Sequence, residues 1–239
     1  TGVFHILEHS VLCGSERYPV KEPFVELMKT SMNTFLNAMT FPDKTYYPIS
    51  SRNPKDFLNL MRVYLDAVFR PLIYSKSEIF RQEGWHYELD SDGRLSRKGV
   101  VYNEMRGAFA DADELEEDAL MRALFPDTPY CFVSGGDPEH IPDMTYEQFL
   151  DCHRRFYSPS NAYVYLDGDV DIDTVLAILD EEYLSGFEPG ERLPVPALQR
   201  PVKAQPQRIE YELSAEEDEH DRYRLAWGRV VGEITDRER

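Results

Sequence analysis

The chain is short of cysteine, short of positive charge and without a long apolar run, and each shortage removes a class of function. Its three cysteines, Cys13, Cys131 and Cys152, are odd in number, widely spaced and form no C-x-x-C pair. A disulfide scaffold and a cysteine-bound metal are disfavoured, and the set points to buried thiols in a reducing compartment, cytoplasmic or organellar matrix. Lys and Arg number 26 against 44 Asp and Glu, a formal charge of −18. A nucleic-acid partner would want a basic stripe, and there is none. Most of the acid, as in DADELEED (111–118) and EYELSAEEDEHD (210–221), reads as solvated surface with a weak long-range pull on cationic peptides. No apolar run approaches the ~20 residues that span a bilayer, so a membrane partner is not expected. The phosphate-cradling patterns G-x-x-x-x-G-K-[ST] and G-x-G-x-x-G are absent, as are repeats and low-complexity tracts.

The opening TGVFHILEH lacks an initiator Met, a charged n-region and an apolar h-region, so it is not a signal peptide. A candidate catalytic helix at the very start is expected to have strands beneath it. The chain therefore reads as a fragment whose upstream strands, and any targeting segment, lie outside it.

What is present is enough for a sizeable core, with 42% hydrophobic residues in 239, and one dense motif. HILEH, residues 5–9, places two histidines four apart, on one helix face at 3.6 residues per turn. His5 and His9 can aim at one point, and Glu8 sits close enough to hold a water there. This H-x-x-E-H order is the inverse of the H-E-x-x-H zinc motif. The plain alternative is an amphipathic helix carrying two solvated histidines.

The rest of the chain predicts an α+β fold, an antiparallel or mixed sheet packed against helices. Helices are expected over 3–12, 22–31 with Pro23 in the first turn, and 53–73 with Asn53 as cap and Pro54 at the first position. NTFLNAMTF and TYYPISS are β-type runs flanking a PDK turn. SKSEIFRQEGWHYEL reads as a helix running into a strand, and KGVVYNEMRGAF leads into an acidic helical stretch to about Leu124. TYEQFLDCHRRFY and DIDTVLAILDEEYL are helices, with NAYVYLDGD a strand between them. Five prolines mark 188–207 as a linker, after which RIEYEL and RYRLAWGRVVG read as strands of a new unit. The expected layout is 1–187, 188–207 and 208–239.

A catalytic zinc takes three protein ligands and leaves one position open. Glu83, His86, Glu88 and Glu104 all lie near apolar sequence, and spacing does not choose among them. Glu104, in VVYNEMRGAF, follows an apolar run and would be partly buried without a cation to pair with. A surface glutamate on an amphipathic helix explains it equally well. His86, His140, His153 and His220 are isolated and read as surface or helix-end histidines. SGGDP (134–138) is a turn, or a loop behind the site. Cys13 reads as a small buried apolar residue, with no activating partner.

HILEHSVLCGSERYPVKEPF, NTFLNAMTFPDKTYYPISSRNPKDFLNLMRVYLDAVFRPL, EGWHYEL, GVVYNEMRGAF and SGGDPEHIPDMTYEQFLDCHRRFYSPSNA occur in that order. Together they resemble the presequence-protease branch of the insulinase/pitrilysin metallopeptidases, over about residues 1–170. The resemblance implies a zinc metalloendopeptidase of short unstructured peptides, presequence-like, with His5, His9 and Glu104 as Zn2+ ligands and Glu8 as general base. It also implies that Asn37 and Ala38 belong to a strand, 33–40, that holds extended substrate. Inactive relatives, which would bind or scaffold without cleaving, are expected to lose one of the four metal-site residues. Enzymes of this family resemble a clam of two halves, the second supplying an Arg and a Tyr. No segment here corresponds to that half, so this piece alone is expected to be the first catalytic domain, weakly active or inactive without the rest of the same polypeptide.

Overall fold

The structure is a computed structural model describing residues 1–21, 23–190, 192–203, 206–213, 220 and 222–233. Helix α1, Val3–Val11, runs through the middle of the main core. Ile6, Leu7 and Val11 are fully buried. Around α1 pack Ile79 and Phe80 of α4 (Ser77–Glu83), Val101, Tyr102 and Met105 of α5 (Val100–Ala108), and Phe149 and Leu150 of α7 (Tyr146–Phe156). Burying each such side chain is worth ~1.5–3 kcal/mol, so the motif helix is held by three others and has little freedom to shift. Gly2 starts α1 with a left-handed φ of 67°, and a Cβ there would come within 2.5 Å of the Gly135 carbonyl. Only glycine lets the 134–138 loop approach that closely.

Helix α2 covers Pro23–Thr30. The expected hairpin is a nested pair: β1 (Asn33–Leu36) lies antiparallel to β4 (Ile49–Ser51), and β2 (Met39–Thr40) to β3 (Thr45–Tyr46). The single strand expected over 33–40 is split at Asn37 and Ala38. The Asn37 N–H donates to Pro48 O at 3.2 Å, and the Asn37 side chain accepts from the Ala38 N–H at 2.9 Å. A local side-chain acceptor replaces a ladder bond there.

Helix α3, Pro54–Phe69, begins as expected, with Asn53 Oδ1 accepting from the N–H groups of Lys55 and Asp56 at 3.0 and 3.1 Å. It stops short of the expected residue 73 because Pro71 bars its predecessor from helical backbone. β5 (His86–Leu89) and β6 (Leu95–Lys98) form the third antiparallel pair. The acidic stretch divides into α5 and α6 (Ala112–Leu124), the latter capped by Asp111. Thr145 and Gln148 close a capping box on α7. Helix α8, Ile172–Ala177, widens into a π turn over Ile178–Tyr183. Met61 of α3 packs there with Val175, Ile178, Leu179 and Tyr183 as a second cluster.

The architecture is α+β, with three separate two-stranded antiparallel ladders and no mixed sheet among the described residues. NAYVYLDGD is not a strand: Tyr163 and Tyr165 are 85% and 86% exposed. A strand needs a neighbour for its backbone groups, and among the described residues none lies beside this one. For the same reason 208–213 and 222–232 carry no strand, while residues 214–219, 221 and 234–239 of the expected last unit lie outside the described residues. The described part of 188–207 is irregular, as its prolines require. Cys13, Cys131 and Cys152 form no disulfide and are half-buried, where full burial was expected. Among the described residues, no helix is long and apolar enough to cross a membrane.

Candidate metal centre

The i, i+4 spacing on α1 brings the His5 and His9 rings to 4.9 Å between centroids. Helix α5, packed across α1, carries Glu104 to the same point. Glu104 Oε1 lies 3.7 Å from His5 Nε2, and Oε2 lies 3.7 Å from His9 Nε2. Ligand atoms from all three lie within 4.8 Å of one another. Tetrahedral ligands at ~2.1 Å from a zinc ion sit ~3.4 Å apart, so the donor set is already close to that spacing. Glu104 is 53% exposed, more than its apolar neighbours led one to expect. Its backbone belongs to the core helix, while its carboxylate leans over the open side of the cluster.

The other nitrogen of each imidazole has an acceptor behind it. His5 Nδ1 lies 3.1 Å from Gly135 O, and His9 Nδ1 lies 3.4 Å from Glu83 Oε2. Both acceptors fix the tautomer with the proton on Nδ1, which frees both Nε2 lone pairs toward Glu104. Glu83 is itself held by Gln82 Nε2 at 2.9 Å and by the Cys13 thiol at 3.4 Å. Burial works against a charge on His9, yet the Glu83 hydrogen bond and the carboxylates of Glu83, Glu104 and Glu8 outweigh it and raise its pKa. Burial likewise works against a charged Glu83, and the hydrogen bonds from His9 and Gln82 outweigh that and lower its pKa. The surroundings are electron-rich, as a dication requires. Two imidazoles, one carboxylate and outward-facing supports fit a zinc ion.

Glu8 is 8% exposed and accepts a hydrogen bond from the Thr40 hydroxyl at Oε2, 2.6 Å away. A cleft of about 350 Å³ opens here, lined by His5, Glu8 and Glu104 together with Ala38, Met39 and Thr40. Ala38 therefore reaches the cleft. Asn37 does not line it; its N–H donates to Pro48 O and its Oδ1 accepts from the Ala38 N–H.

Residues 143–239 match the family model described as "Peptidase M16 inactive domain". The chain is 54% identical to "Presequence protease 1, chloroplastic/mitochondrial" of Arabidopsis thaliana over 79% of its length and 17% of that protein's. It is 48% identical to "Protein HypA" of Clostridium perfringens over 100% of its length and 25% of that protein's. The chain belongs to the insulinase/pitrilysin metallopeptidase family, in its presequence-protease branch. The first half of the periplasmic protease PqqL from Escherichia coli shares the fold at TM-score 0.60 and 21% identity, over 85% of this chain and 40% of that one. Pitrilysin does so at TM-score 0.55 and 21% identity, over 85% of this chain and 20% of that one. This member of the family spans about a quarter or less of the two relatives' own lengths.

SGGDP (134–138) does lie behind the site, through Gly135 O, but neither Gly135 nor Thr40 was marked out individually. Gly135 acts through a backbone carbonyl, which any residue possesses, and Thr40 is one hydroxyl among several in a β-type run. Glu83 stood among the candidate ligands but sits behind His9. His153, expected as a surface or helix-end histidine, does sit in the last turn of α7 but is 4% exposed: Nε2–H donates to Val68 O at 3.0 Å, and Nδ1 accepts from Tyr74 O–H at 2.7 Å. It takes no part in the cluster. His86 and His140 do sit at the surface, engaged by Arg81 O and Asp143.

Proposed function

We propose that the chain carries the metal-binding and proton-transferring part of a zinc metalloendopeptidase that cuts unstructured, presequence-like peptides. The observation that carries this reading is the convergence of His5, His9 and Glu104 donor atoms within 4.8 Å of one another, with Glu8 beside them. His5, His9 and Glu104 would hold the zinc ion, which supplies the Lewis acidity that polarises a carbonyl and acidifies water. Glu8 has Oε2 occupied by Thr40, leaving its other oxygen to take a proton from water and return it to the leaving amine.

Residues 38–40 line the cleft, and β2 has one edge with no strand partner among the described residues. Main-chain groups on such an edge suit an extended peptide and discriminate against folded proteins, whose backbones are already paired. The charge of −18 favours cationic peptides. In this reading residues 1–187 form the metal-binding unit, 188–207 a linker and 208–239 the start of another unit. A second half of the same polypeptide closes over the cleft, in keeping with the likeness to the first half of PqqL. No nucleic acid or membrane is involved. Mitochondrial and chloroplast relatives favour an organellar matrix or its bacterial equivalent, the cytoplasm.

A non-catalytic, peptide-binding reading has one observation in its favour, the word "inactive" in the matching family description. That match covers 143–239 and includes none of the four candidate residues. The two readings separate in the full-length polypeptide carrying this chain. Glu8→Gln is expected to keep one zinc per chain and to lower kcat on an unstructured fluorogenic peptide by ~10²–10⁴-fold. Glu104→Gln is expected to lose zinc. A wild-type protein that binds zinc but never cleaves would leave the binding reading standing.

A further inference from the structure

We infer that Thr40 is a positioning residue for Glu8, backed by the Thr45 hydroxyl on the neighbouring strand. This rests on the reading of Glu8 as proton acceptor.

The register of the β2–β3 pair sets Thr40 directly opposite Thr45, and their hydroxyl oxygens lie 3.2 Å apart. Against the Thr40 hydroxyl stands the Glu8 carboxylate, which only accepts. With one proton per hydroxyl, Thr40 donates to Glu8 Oε2 and Thr45 donates to Thr40. Thr40 also lies 3.4 Å from Phe4 O, but the 2.6 Å contact to Glu8 takes its proton. Each donor in such a chain polarises the next, and a hydrogen bond to a charged group is worth ~1.5–3 kcal/mol. The pair draws on β2 and β3, so both strands must agree before Glu8 can rotate. Oε2 is pinned on a residue that lines the cleft, which shortens the search for a productive proton transfer. Thr40 needs no contact with substrate to do this.

The test uses the full-length polypeptide and measures zinc content, melting temperature, kcat and KM for Thr40→Val, Thr40→Ser and Thr45→Val, with Thr40→Val repeated on Glu8→Gln. Thr40→Val is expected to lower kcat by about 10-fold or more, the equivalent of ~1.4 kcal/mol, with KM and zinc content unchanged. Thr40→Ser restores kcat to within about 3-fold, because a hydroxyl returns to the same place. Thr45→Val, which leaves Glu8 untouched, lowers kcat by a smaller factor and serves if Thr40→Val does not fold. On Glu8→Gln, Thr40→Val changes nothing further. Wild-type kcat in Thr40→Val or in Thr45→Val, a serine as poor as the valine, or an additive loss on Glu8→Gln each overturns the inference while Glu8 keeps its role. Full turnover in Glu8→Gln alone overturns the proton-acceptor reading instead.

Discussion

His9 and His153 each sit in the last turn of an amphipathic helix, α1 and α7, yet their surroundings differ sharply. Three carboxylates face His9, and together they overcome its burial and raise its pKa. A backbone carbonyl and a phenol face His153, and burial drives its pKa down to about 4. The first arrangement suits a cation and leaves a nitrogen lone pair to offer. The second uses both nitrogens on the protein and stays neutral. A histidine becomes a candidate ligand through what stands behind it and opposite it, not through its place on a helix.

The largest expected effect on this comparison comes from lowering the pH. His153 titrates near 4 when folded against an ordinary 6.5, so the unfolded chain binds the extra proton between these values. Its contribution to stability is complete above about pH 6.5 and is lost as pH falls toward 4, amounting to at most about 3 kcal/mol. Denaturant melts across pH 4–7 should show this slope, and His153→Gln, which keeps a donor and an acceptor but cannot titrate, should remove it. An unchanged slope in the variant would mean His153 is not held neutral.

Glu83→Gln tests the other side. It keeps the shape behind His9 but removes the charge, and loss of such a support costs ~10–100-fold in metal affinity. Competition with a chromophoric chelator measures it; wild-type affinity would erase the distinction drawn between the two histidines. The smallest effect is expected for Tyr74→Phe, which takes the donor from His153 Nδ1. About 1 kcal/mol of stability should go, read as a lower denaturation midpoint, with zinc affinity untouched. A change in zinc binding would show that the two regions are coupled.

Much of this was legible in local sequence. The i, i+4 histidines, the Asn53–Pro54 start of α3 and the Thr145–Gln148 capping box are patterns whose physics spans one or two turns. Others were not. Glu104 could be named as third ligand only through resemblance, because Glu83 and Glu104 look alike in sequence and only helix packing sets one opposite and the other behind. Asn37 broke the expected strand with its own side chain, a contest between local and ladder hydrogen bonds that periodicity does not register. Residues 162–166 have strand composition without a strand partner among the described residues, and pairing is a property of two segments.

The sequence by itself determined that α1 is a helix with two imidazoles and a carboxylate on adjoining faces, since helical spacing acts over a few residues. It also determined the excess of acidic residues and the irregularity of the described part of 188–207. Only the tertiary structure decided which carboxylate faces the histidines, which carbonyl orients His5, and which hydroxyl pins Glu8. Those pairings join residues 32, 95 and 130 positions apart in the chain, Glu8 with Thr40, His9 with Glu104, and His5 with Gly135. They exist because Ile6, Leu7 and their neighbours bury one face of α1 and thereby turn the other toward α5, β2 and the 134–138 loop.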